Sequence, residues 1–244
     1  MTSLPQLCGS WRVGPEMTPM ECFSSRALLA AAAADAVAEA LDGSGARAFA
    51  GAGGTTPGPV YDLLARRKLP WERITVTLTD ERWVAPEAEE SNARLLRQHL
   101  LVGEAAKARF LPLKGAETSP QAAAADAEDR LRELLPFAAV LLGMGADGHF
   151  ASLFPGAPEL DVGLDLEGPR LCVPVAEAGL KPLVPRISLT ARALTHTGLL
   201  VVLISGEDKR EVVDRIASDP DYAPPVATML RQDRCPVRVL WAPG

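Results

Sequence analysis

Short apolar runs alternate with longer segments of helical pattern along most of the chain. The apolar runs lie at residues 46–50, 74–78, 138–142, 198–204 and 237–241, and each has the length of a buried strand. Strands that alternate with helices are typical of a parallel sheet covered by helices on both faces. The pattern therefore predicts a three-layer α/β protein with a mostly parallel, Rossmann-like central sheet.

Helices are predicted in the gaps between these strands. Residues 24–41 are nearly all strong helix formers, and a second helix is expected to begin at Pro57, with Thr56 as its cap. Residues 171–190 contain several prolines and are expected to be irregular or antiparallel and to flank the main sheet. Further helix starts are signalled by Ser91, by Ser119 before Pro120, and by Ser205 with Asp208 three residues later.

The chain of 244 residues is predicted to form one domain over residues 1–244. Its hydrophobic content of 48% is enough for one substantial core, and no linker rich in Pro, Gly or Ser divides it. Residues 1–20 carry no motif, so poor order of that stretch is left open.

Composition and charge exclude several classes of partner. The formal net charge of -6 argues against nucleic acid or an anionic membrane. Residues 28–41 are apolar but too short to span a bilayer, and no signal-like segment opens the chain, so export is not indicated. The four cysteines, at positions 8, 22, 172 and 235, form no Cys-x-x-Cys pair, which favours a reduced, cytoplasmic protein without zinc.

The most informative loop follows the predicted strand at residues 138–142. It reads Gly-Met-Gly-Ala-Asp-Gly-His and lies where an α/β sheet opens its binding crevice. Its glycines, Gly145 among them, allow a tight turn and a close approach to a ligand. His149 is a candidate general base whose tautomer Asp147 fixes. A structural histidine is the alternative, and no third ligand accompanies the pair, so no metal site is predicted.

The same loop fits the dinucleotide-binding pattern Gly-x-Gly-x-x-Gly. That pattern is informative when it opens the first βαβ unit and an acidic residue ends the next strand about 20 residues on. Here it lies past the middle of the chain, and residues 155–169 read as a loop, which leaves Asp165 and Glu167 as poor ribose ligands. A nicotinamide-dependent oxidoreductase is therefore kept only as a rival interpretation.

A second glycine-rich loop, residues 51–57, lies between a predicted strand and a predicted helix. Gly53 and Gly54 expose backbone N–H groups, Thr55 and Thr56 add hydroxyl donors, and the following helix points its positive end at the loop. Together these groups suit a phosphate. The loop lacks the lysine of a Walker A motif, so ATP is not implied. The alternative is a glycine-rich connection without a ligand.

Cations suited to an anionic ligand occur at three places. Arg82 follows the second predicted strand, at the edge where ligands of open α/β sheets bind. Its planar guanidinium can form two parallel hydrogen bonds with a phosphate or a carboxylate. The alternative is a surface ion pair of Arg82 with Asp80 or Glu81. Arg186 lies in a strand-like run and Lys209 follows the fourth predicted strand, and solvation is the alternative for both.

Six motifs occur in a fixed order along residues 23–240: Gly53-Gly54-Thr55-Thr56-Pro57, Asp80-Glu81-Arg82-Trp83-Val84, Ser91-Asn92, the glycine-histidine loop continued to Phe154-Pro155-Gly156, Arg186-x-Ser188-Leu189-Thr190 and Ser205-Gly206-x-x-Lys209. This set resembles the 6-phosphogluconolactonase family, within the superfamily that also holds glucosamine-6-phosphate isomerases. Departures from the family pattern are small: Ala52 stands where serine is common, and Phe150 where threonine is frequent.

The resemblance implies a sugar-phosphate isomerase/deaminase-like fold and a reaction. The reaction is hydrolysis of 6-phospho-D-glucono-1,5-lactone in the oxidative pentose phosphate pathway, without a cofactor. The comparable loop of glucosamine-6-phosphate deaminase has an acidic residue where this chain has Phe154, which counts against that enzyme. The implied partner is a small phosphorylated sugar lactone, bound by a monomer or a small homo-oligomer. A non-catalytic sugar-phosphate-binding protein is the remaining alternative.

The implied site has a catalytic part and a substrate-binding part. His149, held by Asp147, is expected to take a proton from the water that attacks the lactone carbon C1. The oxyanion is expected to be stabilised by Arg82 or by the backbone near Gly145. The predicted substrate-binding residues are Gly53, Gly54, Thr55, Thr56, Asp80, Gly145, Arg186 and Lys209.

Overall fold

The structure, a computed structural model, describes residues 6–13, 16–176 and 183–244. Within these residues, one large sheet contains β1 (Gln6–Val13), β2 (Glu16–Cys22), β3 (Arg47–Gly51), β4 (Ile74–Leu78), β6 (Arg109–Phe110), β7 (Ala139–Gly143), β10 (Leu200–Ser205) and β11 (Val237–Ala242). A smaller sheet contains β5 (Asp80–Arg82), β8 (Cys172–Val175) and β9 (Arg186–Leu189). The helices are α1 (Arg26–Leu41), α2 (Gly58–Leu64), α3 (Asn92–His99), α4 (Pro120–Arg132), α5 (Leu160–Leu164), α6 (Ala191–Thr195), α7 (Glu207–Ser218) and α8 (Pro225–Arg231).

The large sheet is mostly parallel, with the strand order β1-β2-β11-β10-β7-β3-β4-β6. Strand β10 pairs in parallel with β7 and β11, and β3 pairs in parallel with β7 and β4. The residues of β10 from Leu200 to Ile204 are all buried, as expected of a strand covered on both faces. The predicted α/β class with a mostly parallel central sheet is confirmed.

Each predicted strand overlaps a strand of the large sheet. The bounds agree for β4, and they differ by one or two residues for β3, β7, β10 and β11. The apolar pattern did not reveal β1 and β2, an antiparallel pair, nor β6, which has 2 residues. The apolar runs therefore revealed the five contiguous strands from β11 to β4 and missed the strands toward either edge of the described sheet.

Helix α1 packs across β3, β7, β10 and β11. Its buried positions include Leu29, Val37 and Leu41, and the other four are all alanines, whose short side chains allow a close approach to the sheet. Helix α7 packs against β10 and β1. None of the helices in the described ranges combines the length and apolarity needed to cross a membrane.

Serine side chains cap three helices. Ser91 and Ser119 accept backbone N–H groups at the starts of α3 and α4, so these two predicted starts are confirmed. Ser25 caps α1, one residue after the predicted start of that helix.

Two predicted caps are wrong. Pro57 takes the cap position of α2, and no side chain caps this helix, so Thr56 is left for other contacts. Gly206, with φ of 96°, takes the cap position of α7 in place of Ser205. In both cases the cap lies one residue after the predicted position.

The smaller sheet is antiparallel and brings two distant segments together. Strand β9 pairs with β8 and with β5, and the register places Arg82 opposite Arg186. The prediction that residues 171–190 are irregular or antiparallel is confirmed for the described part of that stretch, and residues 177–182 lie outside it.

Residues 1–20 were the stretch for which poor order was left open. Residues 1–5, 14 and 15 lie outside the described residues, and the rest belongs to β1 and β2. Cys22, at the end of β2, is disulfide-bonded, so the expectation of reduced cysteines is wrong for this residue. Cys172 and Cys235 are free and buried.

Candidate active site

One cavity of about 270 Å³ is lined by the segments that follow β3, β4, β7 and β10, four neighbouring strands of the large sheet. Because these strands run parallel, the loops at their carboxyl ends emerge at the same edge. Strand β9 adds a residue from the smaller sheet. The predicted site residues that line the cavity are Gly53, Gly54, Thr55, Thr56, Asp80, Arg82, Gly145, His149, Arg186 and Lys209.

Asp147 does not line the cavity but holds the histidine that does. Its Oδ1 lies 2.5 Å from His149 Nδ1, and it also accepts the backbone N–H of His149. The imidazole is 15% exposed and Asp147 is 45% exposed. Because Nδ1 is occupied by the carboxylate, Nε2 is the nitrogen left for a ligand, and it has no hydrogen-bond partner within the described part of the chain. The arrangement fits a general base with a fixed tautomer.

The other histidines lie outside the cavity. His99 Nδ1 is 2.9 Å from Asp62 Oδ1, and His196 is exposed at the end of α6. Neither histidine takes part in the candidate site.

Two arginines occupy opposite positions on β5 and β9. Arg186 is buried, and both burial and the nearby charge of Arg82 lower its pKa from the ordinary arginine value. The guanidinium of Arg82 donates to the backbone oxygen of Glu90 at 2.6 Å, so the surface ion pair with Asp80 or Glu81 is not what holds it. Like charges directly opposite each other destabilise a sheet. An anion between the two guanidiniums would relieve this repulsion.

The loop after β3 is shaped by close packing. Gly54 has φ of 94°, a conformation that favours glycine. A Cβ at Gly53 would lie 1.9 Å from Asn92 Oδ1, so the loop can approach α3 only with glycine at this position. Tyr61 donates its hydroxyl to the backbone oxygen of Ala52 at 2.5 Å and fixes the base of the loop. Helix α2 has only 7 residues, so its predicted dipole adds little here.

Lys209 completes the positive lining of the cavity. It lies in the first turn of α7, half-buried, and forms no ion pair within the described residues. Its ammonium therefore remains available to a ligand that enters the cavity.

Asp80 is a buried carboxylate in this cationic lining. Ser152 donates to its Oδ2 at 2.6 Å, and Asn92 and Thr79 donate to its Oδ1 at 3.2 and 3.3 Å. Sequence reasoning noted Asp80 and Asn92 but missed Ser152, which supports Asp80 from the glycine-histidine loop. A carboxylate held in this way keeps lone pairs for hydroxyl groups of a ligand.

Glu81 ties β5 to the start of α3. Its carboxylate accepts the backbone N–H groups of Arg82, Asn92 and Ala93 at 2.8 Å each and the Ser91 hydroxyl at 3.1 Å. Burial raises the pKa of Glu81 from its ordinary value, although the backbone hydrogen bonds act in the opposite direction and lower it. The sequence showed Glu81 only as a candidate ion partner of Arg82, because its role depends on α3 lying beside β5.

The dinucleotide interpretation finds no support in the cavity. Asp165 accepts the backbone N–H of Glu167, and Glu167 pairs with Arg234 at 2.8 Å. Neither acidic residue lines the cavity. Residues 155–169 were expected to be a loop, but they include helix α5. Within the described ranges, no group of three His, Cys, Asp or Glu side chains lies close enough to hold a metal ion.

Comparison with known proteins gives the family. Residues 24–241 match the family described as glucosamine-6-phosphate isomerases/6-phosphogluconolactonase. The chain belongs to this family. A 6-phosphogluconolactonase of Caulobacter vibrioides is 50% identical over 227 residues, which cover 91% of this chain and 97% of that protein. One of Rhizobium meliloti is 41% identical over 230 residues, with 92% and 98% covered.

Solved structures agree with the family assignment. The crystal structure of a 6-phosphogluconolactonase from Shewanella baltica superposes with a TM-score of 0.86 at 32% identity, and the match covers 95% of this chain and all of that chain. The resemblance inferred from the six ordered motifs is thereby confirmed.

Glu81→Ala should lower the free energy of unfolding by about 3 kcal/mol. The change leaves buried N–H groups of Asn92 and Ala93 without an acceptor, at a cost of roughly 1–3 kcal/mol each. Urea unfolding at pH 7 measures the effect. Glu89→Ala, an exposed position in the same segment, is the control, and equal stability of the two variants would contradict the anchoring role.

Proposed function

We propose that this protein hydrolyses 6-phospho-D-glucono-1,5-lactone to 6-phospho-D-gluconate in the oxidative pentose phosphate pathway. The observation that carries the proposal is one cavity lined by a carboxylate-held imidazole, two guanidiniums and an ammonium. A phosphorylated lactone has the matching chemistry, with an anionic phosphate at one end and an electrophilic carbonyl at the other. The similarity to proteins named 6-phosphogluconolactonase over most of both chains supports the same substrate.

The phosphate is held at the cationic side of the cavity. Arg186 and Lys209 supply the charges, and the loop after β3 adds the backbone of Gly54 and the hydroxyl of Thr55. Gly53 and Thr56 complete the loop's contribution to the lining. Holding the phosphate positions the carbonyl of the same molecule against the base.

Asp80 faces the sugar rather than the phosphate in this proposal. An ionised carboxylate only accepts hydrogen bonds, so it suits the ring hydroxyls and not another anion. Ser152 and Asn92 fix its direction.

His149 acts as the general base. Its Nε2 takes a proton from water as the water oxygen forms a bond to C1 of the lactone, which gives a tetrahedral oxyanion. When this intermediate collapses, the bond from C1 to the ring oxygen breaks. The imidazolium returns the proton to that oxygen, and the new carboxylic acid ionises.

Arg82 stabilises the oxyanion. The sequence left Arg82 and the backbone near Gly145 as alternatives, but the Gly145 N–H already donates to the His149 backbone oxygen at 2.9 Å. The guanidinium of Arg82 lines the cavity and keeps donors beyond its bond to Glu90.

The rival functions are less consistent with the cavity. A deaminase of the same family is disfavoured because Phe154 stands where the family resemblance implies an acidic residue. A non-catalytic sugar-phosphate-binding protein would leave the Asp147–His149 pair without a purpose. The proposal keeps the sequence expectations of one domain over residues 1–244, a cytoplasmic location and a monomer or a small homo-oligomer.

His149→Ala should lower kcat by roughly 10² to 10⁴, as expected for loss of a general base. The assay follows acid release from freshly generated lactone and subtracts spontaneous ring opening. His99→Ala, which removes a histidine outside the cavity, should keep normal turnover. A near-normal kcat for His149→Ala would remove the residue from this role, and an inactive wild-type protein would remove the proposed function.

Gly145→Ala should also lower kcat, by about 10-fold or more, because the new Cβ would lie 2.2 Å from the His149 ring and displace the base. Gly143→Ala is the matched control, since a Cβ there meets nothing within 4 Å. Equal turnover of the two variants would show that the position of the imidazole is not critical.

Lys209→Ala should mainly raise KM, if its contact with the phosphate is equally strong in the ground and transition states. Initial rates over a range of lactone concentrations separate KM from kcat. Lys68→Ala, at an exposed position outside the cavity, is the control. An unchanged KM for Lys209→Ala would place this lysine outside the phosphate site.

A further inference from the structure

Phe154 is an aromatic side chain of the cavity that the proposed chemistry leaves without a role. Its ring lies against that of His149, with centroids 4.4 Å apart and planes inclined by 40°. The guanidinium carbon of Arg186 lies 5.1 Å from the centroid of the same ring. One buried ring therefore contacts both the base and a cation of the phosphate side.

The imidazole of His149 is otherwise held at one nitrogen. Asp147 contacts only Nδ1, and the terminal torsion of a histidine side chain has a broad energy minimum. A flat apolar surface against the ring restricts that torsion and fixes the direction of Nε2. Direction is decisive for a general base, because proton transfer requires hydrogen-bond geometry to the attacking water.

The contact with Arg186 is of another kind. It lies opposite Arg82 in the small sheet, and the two positive charges repel each other. The face of an aromatic ring attracts a cation through its quadrupole. The ring of Phe154 therefore contributes an attraction that opposes the repulsion from Arg82.

We propose that Phe154 is a positioning residue that orients the His149 imidazole and seats the Arg186 guanidinium. The base and the phosphate-binding cation then keep a fixed separation, which suits a substrate whose carbonyl and phosphate are joined by one small ring. This inference rests on the proposed lactonase function.

Phe150 provides a matched control. It belongs to the same loop and is fully buried, but within the described chain its ring is not stacked on His149. Phe→Leu at either position removes the same atoms from the core, so a general loss of packing affects both variants.

Proton NMR of the imidazole groups tests the contact without any assay of activity. The chain has 3 histidines, so the Hε1 region is sparse, and the signal missing from His149→Ala identifies His149. Loss of the Phe154 ring current should shift this signal in Phe154→Leu and not in Phe150→Leu. An unshifted signal in Phe154→Leu would overturn the proposal even if the wild-type protein proves inactive on lactone.

Kinetics test the consequence of the contact. Phe154→Leu should lower kcat by about 10- to 100-fold through misplacement of the base and raise KM about threefold through loss of the cation–ring contact. A smaller folded fraction lowers the apparent kcat but leaves KM unchanged, so the rise in KM separates positioning from a purely structural role. If Phe154→Leu folds poorly, Phe154→Met keeps more of the side-chain volume without a ring. It should show the same fall in kcat and the same rise in KM. Equal effects of Phe154→Leu and Phe150→Leu on KM would overturn the proposal.

Discussion

Parallel pairing of β10, β7, β3 and β4 is the constraint on which the site depends. Parallel strands end at one edge, so segments that lie far apart in the chain meet there without long-range side-chain contacts having to bring them together. Lys209, His149, the glycine loop and Arg82 each follow one of these strands. The buried apolar residues of the strands fix the register, and the register fixes the distances across the cavity.

The charge pattern of the cavity contrasts with that of the chain. A protein with a formal net charge of -6 concentrates cations at one edge of its sheet. The attraction for an anion is therefore local, and Arg82 and Arg186 provide it at the expense of mutual repulsion. The buried carboxylate of Asp80 offsets part of that repulsion and stabilises the charge of Arg186. Ser152 and Asn92 keep that carboxylate in place.

Short motifs in the sequence predicted the loops that line the cavity. The contacts that the sequence did not predict depend on packing between segments far apart in the chain. The residues that line the cavity could be named because glycines, histidine and cations follow apolar strands directly. The sequence did not predict that Arg82 and Arg186 lie opposite each other, because their pairing depends on the register between β5 and β9. The same holds for Glu81, whose hydrogen-bond donors lie at the start of α3. Thr56 and Ser205 are residue types that often cap helices, but each lies one position before the true cap, Pro57 or Gly206.

Opposed guanidiniums have a consequence for the unliganded protein. Repulsion between Arg82 and Arg186 opposes folding, and a substrate that brings negative charge to each of them reduces it. A molecule that binds the folded chain and not the unfolded chain adds its binding free energy to the resistance against unfolding. The stability of the folded protein therefore rises with the concentration of a sugar phosphate that binds it.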